Sequence, residues 1–424
     1  MFSALVTYDI DLICAVLYEN GQNGVFILGL YIQCFIRDGM DNTSNIYIGD
    51  RMEKKQILAI AVVAVIVVAA LGAFMVMSGD KDNTPESMVD AAGNEIVIPD
   101  EVKSITAASP SIADIVCYMG YGSKIVCVSK YCTNSQIPSG VKLCGSYASP
   151  DTDVISTVNA TVSFIDGSNA KAQEAYKTLR GSGMNVIMMY GTDDSSDGVY
   201  KNVQILGFIT GNYSKADAVV NDLKDVVSGL ADKTSSAKTT NVLITTGFGN
   251  LSIGSDGKFT NLSSLDGSGV YAAGDTSLIN DLANDVCAVE NDVKGGWALM
   301  DTDAVSTSTS NVDVMLILWT NRDSMPTEDS KDQLIAQLKT TAWANCGAVK
   351  NGNIFFIGGD VGSDLSRATP YTIENGLPIL SLLINPDAFS ATSGGSPLTW
   401  NDLPCSIDNS NTSKLVDYTE NKSK

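Results

Sequence analysis

Histidine is absent from all 424 residues. Its absence excludes Ser-His-Asp and Cys-His catalysis, the commonest zinc-binding sets, and capture of free zinc or manganese through imidazole. The nine cysteines are scattered without a CxxC pair. Cys132 and Cys144 are candidates for a bridge if the chain is exported; buried free thiols are the alternative. Neither a P-loop GxxxxGK[ST] nor a nucleophile elbow occurs, and no residue is assigned a catalytic or metal-ligating role. Charged residues make up only 18% of the chain, and their balance is acidic, at −21. That excludes a nucleic-acid binder, which needs a basic face, and suits an exposed, soluble surface. With 44% hydrophobic residues, the chain has enough apolar material for two domains of ordinary size.

What is present is organised around 198–233, read as two consecutive helices. The first carries Val203, Leu206 and Ile209 and stops at Gly211-Asn212. The second, over 214–231 with Ser214 as its N-cap, places Ala216, Val219, Val220, Leu223, Val226, Val227 and Leu230 on one stripe. On either side, strands alternate with helices of about ten residues, the signature of βαβ units. Before it, strands are expected at 95–98, 104–107, 124–128, 160–165 and 186–189, with helices over 112–119, 155–158 and 170–180. After it, strands are expected at 241–245, 312–318 and 354–357, with helices over 277–285, 333–340 and 371–383. The expected fold is therefore α/β, with parallel sheets over 81–197 and 234–390 on either side of the helical segment 198–233. A polar tail follows over 391–424.

The N-terminal region is of a different kind. Residues 1–51 match neither a signal peptide nor a tidy domain. Met52-Glu53-Lys54-Lys55, followed at once by an apolar run, reads as a translation start, so 1–51 is expected to be an upstream extension. Residues 57–77 carry no charge, and about 20 apolar residues span a bilayer. Lys54 and Lys55 precede the run and acids follow it, which places the N-terminus inside. A single transmembrane anchor over 52–80 is expected, with the remainder of the chain outside the cell.

One pattern occurs twice. Tyr147-Ala148-Ser149-Pro150-Asp151-Thr152-Asp153-Val154-Ile155-Ser156 is echoed by Trp297-Ala298-Leu299-Met300-Asp301-Thr302-Asp303-Ala304-Val305-Ser306. Both copies precede a strand, on opposite sides of the central helices. A single loop-and-helix device used twice explains the echo. Asp151 and Asp301 suit N-caps, which leaves the aromatics and the second acids, Asp153 and Asp303, for another role.

Over roughly 89–390 the chain resembles the substrate-binding proteins of ABC importers for cobalamin and iron complexes. The resemblance is carried by the entry segment from Val89 to Pro99, by Ile105-Thr106-Ala107-Ala108-Ser109-Pro110-Ser111-Ile112, and by Ile125 to Ser129. It continues through Gly207-Phe208-Ile209-Thr210-Gly211 and Trp343-Ala344-Asn345-Cys346-Gly347. It implies two Rossmann-like lobes, joined by the long helix of 198–233 and closing on a ligand, a permease partner, and no catalysis or cofactor. It also implies one acid per lobe for docking on the permease; Asp153 and Asp303 match those positions, with aspartate where the family usually has glutamate.

Ligands of open α/β sheets bind beyond the carboxyl ends of the strands. The loops expected there carry Ser109, Tyr131, Tyr147, Tyr190, Phe248, Trp297, Trp319 and Arg367. Tyr131, Tyr147, Tyr190, Trp297, Trp319 and Arg367 form the candidate ligand-binding set, since aromatic faces suit a corrin, porphyrin or catecholate plane and Arg367 suits an anionic chelate. Packing of the aromatics in the core, and an ordinary ion pair for Arg367, are the structural alternatives. The expected function is capture of an iron chelate or corrinoid and its delivery to the permease. A ligand-sensing or adhesive surface ectodomain on the same fold is the competing expectation.

Overall fold

The computed structural model describes residues 13–20, 25–32 and 84–420, apart from 192–195, 249–250, 255, 266, 268 and 320–323. Two compact units divide the chain, Met1–Gly79 and Asp80–Lys424. In the first, strands Ile13–Asn20 and Val25–Ile32 pair antiparallel, with Ile13 opposite Ile32. This pair falls within the stretch expected to be an upstream extension. The apolar run 57–77 lies outside the described residues. Among the described residues, no helix is long and apolar enough to cross a membrane.

The first lobe of the second unit rests on a five-stranded sheet, parallel throughout. Its order is Lys142–Leu143, Ile125–Val128, Ile105–Ala107, Val162–Asp166, Val186–Met189. Every residue of Val162–Asp166 is buried, as a strand covered on both faces requires. Chain order reverses between Ile105–Ala107 and Val162–Asp166, which makes the carboxyl ends of these two strands the switch point where ligands of such sheets bind. The strand pair expected at 95–98 and 104–107 does not form; Glu95 makes only an isolated bridge to Val89. The entry segment is held instead through buried Asp90, which accepts from the amides of Ala92, Asn94 and Met188 and from Tyr176 Oη.

The second lobe carries a seven-stranded sheet in which the three expected strands are parallel and one antiparallel strand is added. Thr240–Thr246, Val314–Leu318, Ile354–Ile357 and Ser406–Ile407 are parallel; Val270–Ala273 pairs antiparallel both with Thr240–Thr246 and with Trp297–Met300, so Trp297–Met300 runs in the same sense as the parallel strands. The reason for the antiparallel strand lies in the connection. Parallel neighbours need a long crossover, usually a helix, whereas the described chain between Thr246 and Val270 holds two short strands and a 3₁₀ turn. The expected polar tail is corrected. Ser406–Ile407 adds a strand beside Ile354–Ile357, and helix Thr412–Glu420 follows it. Leu398, Leu403, Cys405, Ile407 and Leu415 are at most 6% exposed, and burying these apolar side chains ties the segment to the lobe.

Between the lobes run helices Ser196–Ile209 and Tyr213–Thr234. The second begins one residue before the expected Ser214 cap. Asn212 occupies the cap position without making a cap hydrogen bond; its amide donates to Tyr121 Oη at 2.7 Å and Thr210 O at 3.0 Å. Ala216, Val220, Leu223 and Leu230 form the buried stripe. They join one hydrophobic cluster with Ile115 of the first lobe and Ile244, Leu316 and Leu380 of the second. The two lobes and their connector thus share a continuous core.

Candidate functional site

The repeated Asp-Thr-Asp segments fold alike. Asp151 caps helix Thr152–Val158, accepting from the amides of Asp153 and Val154, and Asp301 caps helix Thr302–Ser308, accepting from Ala304 N at 2.8 Å. Free amides at a helix start favour such an acceptor. Thr157 and Thr307 donate to the carbonyls of Asp153 and Asp303, each at 2.8 Å, and Ile155 and Val305 anchor the two helices at 0% exposure. Asp153 and Asp303 are therefore presented in solvent on the first turn of matching helices, one on each lobe.

In the first lobe, Tyr147 lies in the tight turn between Gly145–Ser146 and Ser149–Pro150. The Gly145 carbonyl accepts from Lys130 N at 2.8 Å and Ser129 Oγ at 3.2 Å. That ties the turn to the loop carrying Tyr131. The Tyr131 and Tyr147 rings meet edge to face at 6.2 Å, with Lys130 Nζ 5.0 Å from the Tyr131 ring centre. At 50% and 42% exposed, they form an open aromatic corner. Tyr190 is half-buried at the end of the edge strand; the Asn202 side chain bonds both its amide and its carbonyl, and Lys201 Nζ stands 5.1 Å from its ring. Ser109 is buried and caps helix Pro110–Tyr118.

In the second lobe, half-buried Trp297 opens the edge strand opposite Ala273. The turn before it is close-fitted: a Cβ on Gly274 would lie 2.2 Å from the Gly295 carbonyl oxygen. Asp275 holds the same turn through Lys294 Nζ at 3.0 Å and Gly295 N at 2.9 Å. The lysine contact, then the amide, hold its carboxyl below the usual range.

Three residues expected in the cleft loops have other surroundings. Trp319 is 1% exposed, packed edge-on against Phe356 and Phe259 at 5.7 and 5.8 Å, with its indole N–H donating to Ser324 O. Phe248 is likewise buried against Trp343. A run ending in a large aromatic next to a buried strand is satisfied by core packing, which removes more apolar area than a cleft edge would. Arg367 crosses to the first lobe and pairs with Asp114 at 2.6 Å, the side chains being 19% and 8% exposed. The seven described cysteines are free thiols, so Cys132 and Cys144 are not bridged.

The sequence reading missed the groups that join the lobes. Asp114 and Tyr118 sit one turn apart on helix Pro110–Tyr118. Tyr118 donates to Glu374 and meets the Tyr371 ring edge-on at 5.1 Å. Burial, then the bond to Glu374, push the Tyr118 hydroxyl far above its ordinary range. The one available signal was an acid on an otherwise apolar helix, since a buried charge requires a partner.

A family model described as a periplasmic binding protein matches residues 105–361, more than half of the chain. An uncharacterized ABC transporter substrate-binding lipoprotein of Bacillus subtilis, YvrC, is 25% identical over 310 residues, covering 72% of this chain and 87% of that protein. A cobalamin-binding protein of Halobacterium salinarum is 24% identical over 148 residues, 35% of this chain and 40% of that one. Among solved structures, CeuE of Helicobacter pylori with Ni(II) bound aligns at a TM-score of 0.53 and 14% identity, covering 72% of this chain and 90% of that one. A periplasmic heme-binding protein of Pseudomonas aeruginosa aligns at 0.51 and 16%, covering 70% and 95%. At these identities the structures show the shared fold. Two α/β lobes, a helical connector and the matched residues lead to one conclusion: the chain belongs to the periplasmic binding protein family, whose members carry solutes and are not enzymes.

Proposed function

We propose that this protein captures a metal chelate, an iron complex or a corrinoid, between its lobes and delivers it to the permease of an ABC importer. The observation that carries the reading is the duplicated capped helix, which presents Asp153 on one lobe and Asp303 on the other. Two exposed acids on rigid helix starts suit paired basic contacts on a membrane partner. The Tyr131–Tyr147 corner and Trp297 supply aromatic surface for a planar ligand. Tyr190 belongs to the same set at the periphery, while Trp319, enclosed by Phe259 and Phe356, lies outside it. The segment 57–77 anchors the protein in the cell membrane with the binding lobes outside. The relatives named as a substrate-binding lipoprotein and a cobalamin-binding protein support the reading.

Titration of the full chain with hemin, cyanocobalamin and a ferric catecholate tests it. Tryptophan fluorescence quenched by at least one probe, with a smaller response in Trp297→Phe, is the expected result. Asp153→Arg with Asp303→Arg is expected to keep that affinity and abolish permease-dependent uptake. No response to any probe, or uptake unaffected by the double variant, overturns the corresponding half of the proposal.

A further inference from the structure

Asp114 is a branch point. One carboxylate oxygen accepts from Arg367 Nη1 of the second lobe at 2.6 Å, and the other accepts from Asn134 Nδ2 at 3.0 Å. Asn134 in turn uses its Oδ1 to hold the amide of Gln136, at 3.0 Å, within the loop that carries Tyr131. The guanidinium is itself mounted rigidly. Arg367 N donates to Asp364 O at 3.0 Å, and Thr372 Oγ1 donates to the carbonyls of Asp364 and Arg367. Thr372 opens the π-helical turn Thr372–Gly376, an irregularity frequent at functional sites.

We propose that Arg367, Asp114 and Asn134 form a relay between the lobes, in which Arg367 is a positioning residue that fixes the Tyr131 loop according to how the lobes meet. The pair is nearly buried, so Asp114 deprived of Arg367 would be an uncompensated carboxylate and would reorient toward water, releasing Asn134. The lobes themselves stay joined, because Tyr118 still meets Glu374 and Tyr371 and the connector core is untouched. A plain structural ion pair would affect the whole interface; the relay affects 131–137 first. Its consequence for ligand affinity rests on the proposed role of Tyr131 in the cleft.

Hydrogen exchange on the ligand-free full chain tests the relay without any ligand. In Arg367→Met and in Asp114→Asn, amides of 131–137 are expected to exchange about tenfold faster, while amides of the central strand Val162–Asp166 keep their protection. The double variant is expected to be no worse than either single one, as for residues acting as a unit. Unchanged exchange at 131–137, or equal loss at Val162–Asp166, overturns the relay. In a second arm, whichever of hemin, cyanocobalamin and the ferric catecholate binds the native chain is expected to bind Arg367→Met about tenfold more weakly; equal affinity overturns the coupling to the ligand. Binding of none of the three probes by the native chain overturns the ligand reading and leaves the exchange result to decide the relay.

Discussion

Gly207 lies directly against Ala216 where the two connecting helices meet: a Cβ on Gly207 would stand 2.3 Å from the Cβ of Ala216. Both flank the bend at Gly211, whose φ of +69° lies in the left-handed region that glycine tolerates. The close contact lets helix Ser196–Ile209 lie flat on Tyr213–Thr234 and so fixes how the first lobe enters the connector.

Gly207→Val therefore overpacks a site with no room to give. The expected loss is about 3 kcal/mol, at the upper end of overpacking costs, read as a lowered midpoint in urea unfolding. Gly229, which has open space where its Cβ would be, provides the control. Gly229→Ala is expected to be neutral or stabilising by up to about 1 kcal/mol, since alanine favours a helix interior.

Asp90 provides a second test. At 1% exposure it accepts four hydrogen bonds, two within the entry segment and two that tie it to strand Val186–Met189 and helix Ala170–Gly181. Asp90→Ala leaves those donors unpaired and is expected to cost about 3 kcal/mol. Asp90→Asn, which keeps an acceptor, is expected to cost less. Equal melting temperatures for native and Asp90→Ala chains would show that water replaces the carboxylate without loss.

Asp364 makes stability depend on pH. Burial, reinforced by Asp114 and Asp360, raises its carboxyl from 3.8 to about 6, against the opposing pull of Asn375 and Arg367. A raised carboxyl favours the folded state when protonated. The contribution is fully present below about 3.8 and is lost as pH rises through about 6. Asp364→Asn is expected to raise the melting temperature relative to the native chain at pH 7.5 and to leave it nearly unchanged at pH 3.5. Thermal melts of both chains across that range check the sign.

Most of the helices and strands were legible before the structure. Strands Val186–Met189 and Ile354–Ile357 fall at their expected positions, and the i, i+3/i+4 stripe on Tyr213–Thr234 marks the face that is buried. Local propensity and periodicity carry that much. The antiparallel direction of Val270–Ala273, and the recruitment of Trp297–Met300 and Ser406–Ile407 to the sheet, were not legible, because short strands have no period of their own and their direction is set by partners.

By itself the sequence determined the two-lobed α/β plan, the paired Asp-Thr-Asp helices and the exclusion of histidine chemistry. Those features depend on residues near one another in the chain: caps, stripes and spacing. The tertiary structure alone decided which aromatics face solvent and what Arg367 does. Trp319 and Tyr131 look alike as loop aromatics, yet one is enclosed by Phe259 and Phe356 and the other is half exposed. Arg367 and Asp114 are 253 positions apart, and only the packing of one lobe against the other brings a guanidinium and a carboxylate into a nearly dry contact where each requires the other.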